Sequence, residues 1–205
     1  MDCTDDCTQN FLPKLRDHLL TQLLGLEYNG DEQEFMTAER NHVVICKGSI
    51  YQHQVLRVNY TTYDMRRDQD SINVKTHPDI MLIAREDESD ENRSAYWYAR
   101  VIGVFHAYVQ HTSPNAHSKE TQKMDFLWVR WYIRNRDGGY RAGWKARQLP
   151  RVSYIVEPQD GLSMFGFLDP NLVVCGVHII PGFEHDYVEK PVDADLDCYL
   201  YYINM

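Results

Sequence analysis

The stretch Ala95–Val109, AYWYARVIGVFHAYV, and its companion Met124–Arg134, MDFLWVRWYIR, decide the fold. Both are crowded with Val, Ile, Tyr, Phe and Trp, side chains that lose freedom on a helix and pack well on a pleated surface. A polar connection containing Pro114 runs from Gln110 to Lys123 between them. The pattern predicts two long antiparallel strands. Downstream, FGFLDPNLVV (165–174) reads as a turn with a short helix or loop, and GVHIIPGF (176–183) as a further strand.

Working outward, HVVICKG (42–48), SIYQHQVLRVNYTTYD (49–64) and DIMLIAR (79–85) read as strands, the second with a break near Gln54. The segments MRRDQDSINVKTHP (65–78) and EDESDENRS (86–94) read as surface loops, the latter strongly acidic. Beyond the long strands, NRDGG (135–139) is a turn, and GYRAGWKARQLPRVSYI (139–155) a basic, aromatic strand pair. Residues 184–198 read as an acidic linker and CYLYYINM (198–205) as a last strand.

Before the strands, Leu12, Leu15, Leu19, Leu20, Leu23 and Leu24 recur at helical spacing, with Pro13 in the first turn and Gly25 placed to end the helix. Two uses of this stripe are open: packing on its own domain, or docking onto a larger helical neighbour. The expected organisation is a helical extension over 1–41, a β domain over 42–190, and a linker with a final strand over 191–205. The expected fold class is α+β, mainly antiparallel β, as a twisted sheet or partly open barrel with an N-terminal amphipathic helix.

A chain of 205 residues that is 43% hydrophobic and 12% aromatic has ample material for a core, which excludes wholesale disorder. Lys and Arg number 21 against 30 Asp and Glu, a net charge of −9. That balance opposes non-specific nucleic-acid binding and favours a basic partner. Cys46 and Cys175 sit in apolar runs and read as buried, reduced thiols, while Cys3 and Cys7 are too loosely placed to complete a metal site. No signal peptide opens the chain and no run of about 18 apolar residues occurs, so an intracellular protein without a membrane span is expected.

No nucleophile elbow, phosphate loop, HExxH or paired CxxC is present, so neither enzymatic activity nor a cofactor is expected. Asp64, Asp68 and Asp70 alternate with arginines and suit a salt-bridged loop better than a two-metal cage with Asp125. His53, His106 and His178 fall within strands and read as sheet residues; no metal site is expected. Binding is better supported. Trp97, Tyr98, Trp131 and Tyr132 come from adjacent strands, with Trp128, Tyr140 and Trp144 nearby, and aromatic faces hold alkylammonium groups by cation–π attraction. Arg141, Lys145, Arg147 and Arg151 surround Tyr140 and Trp144, a pattern suited to phosphate contacts with stacking.

Two resemblances add to this reading. WYARV at Trp97–Val101, VRWYIR at Val129–Arg134 and VVCGVHIIPGF at Val173–Phe183, with Tyr187 beyond, resemble the bromo-adjacent homology domain, a β-rich chromatin module. In its methyl-lysine-binding members, aromatics stand at the places of Trp97 and Trp131; Ile133 stands where a second Tyr would be. Nearly the whole chain also resembles the C-terminal region of fungal Plavaka-type proteins of CACTA-like DNA transposons, through FLPKLRDHLL, VLRVNYTTYDMRRDQDSIN, YWYARVIGVFHAYV, FLWVRWY and FGFLDPNLVVCGVHIIPGF. Together they imply a nuclear, non-enzymatic chromatin or protein-interaction module that binds a basic peptide or histone tail. The alternatives are a DNA-contacting accessory module of a transposase and a structural docking or oligomerisation domain that meets a separate transposase catalytic region through the Leu12–Leu24 helix.

Overall fold

In the computed structural model, the described residues are 10–26, 33–61, 64–84, 95–114, 116, 118–134, 149–155, 163–181 and 201–204. Helix α1 spans Phe11–Leu23 and a single turn, α2, spans Thr37–Arg40. The strands are β1 Val43–His53, β2 Val55–Thr61, β3 Arg67–Asn73, β4 Asp79–Ile83, β5 Tyr96–His111 and β6 Gln122–Arg134. They continue with β7 Arg151–Tyr154, β8 Phe165–Leu168, β9 Val173–Gly176, β10 His178–Pro181 and β11 Tyr201–Asn204. A 3₁₀ turn at Pro170–Leu172 links β8 to β9, its start held by the Asp169 carboxylate, which accepts from Asn171 N.

β5 and β6 form the spine. Their ladder runs from Tyr98↔Tyr132 to Val109↔Gln122, as their β-branched and aromatic content predicts. A nine-stranded antiparallel sheet grows from it in the order β10-β11-β7-β6-β5-β4-β9, with β1 paired to the second half of β5 and β8 to the middle of β6. Consecutive strands β9 and β10 stand at opposite ends of that order, so the sheet curls until it is nearly closed as a barrel. The final strand β11 is a full member, lying between β10 and β7.

One extra residue in β5 sets the layering. The register slips between Val101 and Gly103, so β5 residues exchange faces there while β6 keeps strict alternation. Before the bulge Ala99 and Val101 share an outer face with Val129; after it, Val104 takes that face, and Phe105, Ala107 and Val109 turn to the other. Gly103 is required: a Cβ there would lie 2.2 Å from the Phe105 ring.

Three clusters result. On the outer face, the β2–β3 hairpin lays Val58 and Ile72 against Ile80, Leu82, Val101, Leu127 and Val129. On the inner face, α1 places Leu15 and Leu19 over Val43, Ala107, Val109, Phe126 and Phe167. Further along that face, Met81, Tyr98, Tyr132, Val152, Tyr154 and Ile203 fill the barrel. The helix ends as the sequence indicates: Gly25 takes φ +63°, Gly25 N bonds Gln22 O at 3.1 Å and Leu26 N bonds Thr21 O at 3.0 Å. Bidentate contacts of 2.6 Å from Arg40 to the buried Asp17 tie α2 to α1. Cys46 and Cys175 are free thiols, half-buried rather than buried, because each lies on a sheet edge or irregular strand.

Candidate functional site

The strand period of two divides the four aromatic candidates. Because Tyr98 opposes Tyr132 and Ala99 opposes Trp131, neighbours in sequence face opposite sides. Tyr98 and Tyr132 point into the barrel and are 5% and 7% exposed. Trp97 and Trp131 lie on the outer face, half-buried against the hairpin cluster, on which Leu56, Val74 and Leu172 also pack. The expected single aromatic face is therefore corrected to an outer tryptophan pair and an inner tyrosine pair. Ile133, on the tryptophan side, is 41% exposed and extends the outer patch.

The ends of β4 and β5 lie next to this patch. Ala84 N donates to Ala95 O at 3.0 Å, closing the β4–β5 hairpin next to the Ile83↔Tyr96 pair and Trp97. The connection that leaves and re-enters there, residues 85–94, lies outside the described residues. Its sequence, REDESDENRS, carries Glu86, Asp87, Glu88, Asp90 and Glu91 against Arg85 and Arg93.

The inner tyrosines belong to a polar network that sequence reading missed. Asp79, 6% exposed, accepts from Arg100 Nε at 2.9 Å, Arg100 Nη2 at 3.0 Å and the Tyr132 hydroxyl at 2.9 Å. The Tyr154 and Tyr132 hydroxyls are 3.0 Å apart, and the Arg130 guanidinium lies 3.8 Å from the centre of the Tyr154 ring. Burial, then the neighbouring Asp79 charge, push the Tyr132 hydroxyl far above its ordinary value. The hydrogen bond to Asp79 raises the Arg100 guanidinium likewise. Both groups thus keep one protonation state near neutral pH, which suits a clamp between β4, β5, β6 and β7 and not proton transfer. The available signal was a charged residue, Arg100, inside an otherwise apolar strand.

Of the basic candidates, Arg151 is described, on β7, with its guanidinium 5.5 Å from the centre of the Tyr202 ring. Arg141, Lys145 and Arg147, like Tyr140, Trp144, Tyr187, Cys3, Cys7 and Cys198, lie outside the described residues. The acidic candidates do not converge. Asp64 pairs with Arg66 at 2.9 Å on the exposed hairpin tip, whereas Asp70 accepts from Gly176 N at 2.8 Å and docks the hairpin on β9. The leucine stripe packs on its own sheet: Leu15, Leu19 and Leu20 are buried, and Leu12 and Leu24 remain exposed. No described helix is long and apolar enough to cross a membrane.

Two histidines read separately as sheet residues meet on the outer face of the β1–β5–β6 ribbon. His53 Nε2 lies 2.6 Å from His106 Nδ1, and His106 stands directly opposite Asp125. Burial, then the Lys123 and His53 charges, lower the His106 pKa against the opposing pull of Asp125. Register, which no single sequence displays, brought them together. No family model matches the chain, and neither a curated protein nor a solved structure matches it.

Proposed function

We propose that this chain is a non-enzymatic chromatin or protein-interaction module that docks a basic, histone-like peptide on its outer face at the β4–β5 end. One observation carries this reading: the Ala84–Ala95 hydrogen bond, which closes β4 on β5, stands two residues from the half-buried Trp97, and the sequence between those two alanines is strongly acidic. Carboxylates supply steering and charge complementarity for a cationic chain, and the indoles supply apolar contact and cation–π attraction of about 0.5–2 kcal/mol per contact. The net charge of −9 acts in the same direction. The transposon-derived origin and nuclear location belong to this proposal through the resemblance, which the barrel-like β architecture accommodates.

The reading is narrower than a four-residue aromatic cage, since the tyrosines are committed to the barrel interior. Nothing in the described part of the basic stretch favours duplex DNA, and the central leucines of α1 are engaged within the molecule. The test is a calorimetric titration with a Lys/Arg-rich histone-tail peptide, its fully acetylated form and duplex DNA, each at two salt concentrations. The basic peptide is expected to bind, the acetylated form to bind at least about tenfold more weakly, and DNA not to bind. Equal affinity for the basic and acetylated peptides, or preferential binding of DNA with a steep salt dependence, would overturn the proposal.

A further inference from the structure

At the other end of the outer face lies a group of side chains that peptide docking beside Trp97 does not use. The β5 bulge turns His106 and Tyr108 outward there. His106 sits between Tyr51 of β1 and Asp125 of β6 in the ladder, and His53 follows two residues along β1. Tyr51 stacks on the His106 ring at 4.8 Å and Tyr108 meets its edge at 5.5 Å, which holds the imidazole plane upright on the sheet. His53 and Asp125 are exposed, and one ligand atom from each of His53, His106 and Asp125 lies within 4.8 Å of the others.

We infer that His53, His106 and Asp125 form a binding site for a divalent transition-metal ion of the zinc class, with solvent completing its coordination. Two imidazoles and a carboxylate are the donors that zinc, cobalt and nickel select, whereas calcium and magnesium require oxygen-rich cages. Each ligand stands on a different strand of one hydrogen-bonded ribbon, so the ladder fixes their spacing. Two nitrogens bound tetrahedrally at about 2.0–2.1 Å are about 3.3 Å apart, so the rings need to separate by roughly 0.7 Å. A small torsion of the exposed His53 side chain accomplishes that. The proton now shared between His53 Nε2 and His106 Nδ1 moves to the distal nitrogen of the ring that donates it, leaving each neutral imidazole one lone pair for the ion. Lys123 Nζ, 2.8 Å from Asp125 Oδ1, competes for the carboxylate and adds a nearby positive charge.

The experiment titrates Zn²⁺, Co²⁺, Mg²⁺ and Ca²⁺ into the full chain, reading calorimetric stoichiometry, unfolding temperature and the Co²⁺ absorption spectrum. Expected are one Zn²⁺ or Co²⁺ per chain, a rise in unfolding temperature with Zn²⁺ and not with Mg²⁺ or Ca²⁺, and ligand-field bands without the near-ultraviolet band of a cysteine thiolate. His53→Gln and His106→Gln are each expected to weaken Co²⁺ binding by on the order of 100-fold, and Lys123→Met to strengthen it by about tenfold. Because His53 is exposed, His53→Gln keeps the fold and remains decisive even where His106→Gln destabilises the sheet. Absence of Co²⁺ binding, a thiolate band, or Co²⁺ affinity unchanged by His53→Gln would overturn the assignment.

Discussion

Gly103 and His18 show how single positions constrain this chain. The Gly103 Cα faces the Phe105 ring so closely that any Cβ collides with it, because the bulge folds the strand back on its own side chain. Gly103→Ala is expected to cost about 1–3 kcal/mol through forced displacement of Phe105, seen as a lower denaturant midpoint with unchanged slope. His18 lies against Phe167 with a buried Nε2 that has no partner among the described residues, and burial lowers its pKa from 6.5 to about 4. The unfolded chain therefore takes up this proton at higher pH than the folded one. Its contribution is complete above 6.5 and declines as pH falls toward 4, by roughly 3 kcal/mol in all. His18→Leu should flatten the pH dependence of unfolding free energy across that window. At Asp79, substitution by Asn removes the carboxylate that pairs with Arg100, and a loss of about 2–3 kcal/mol is expected by urea denaturation.

Among the elements, the β5–β6 pair and helix α1 were legible because their signals are local. Composition identified the strands, leucine spacing identified the helix, and Gly25 marked its end. The division of Trp97, Tyr98, Trp131 and Tyr132 between two faces was also implicit, since adjacent strand residues alternate. What was not legible was the slip at Gly103, which depends on the contact between Phe105 and its own backbone, and the meeting of His53 with His106, which depends on the β1 register. The Asp79–Arg100–Tyr132–Tyr154 network likewise needs three strand pairings before its partners appear together. The α1 contact is tested by Leu19→Ala. This residue is fully buried over Phe126 and Val109, and its truncation should cost about 3 kcal/mol in thermal or urea unfolding.

Across the whole molecule, the curled sheet separates its duties by face. The inner face supplies stability through the helix-covered cluster and the aromatic barrel filling. The outer face offers the tryptophans at the β4–β5 end and histidines with a carboxylate at the other. The central claim is that a basic peptide engages the first of these ends. Nuclear magnetic resonance of the indole N–H groups tests it directly, because Trp128 is a built-in control, packed under α1 against Phe11 at 5.6 Å on the inner face. Titration with a Lys/Arg-rich tail peptide should shift the Trp97 and Trp131 indole signals saturably and leave Trp128 in place. Saturable binding that leaves the Trp97 and Trp131 signals unmoved, or no binding at all, would contradict it.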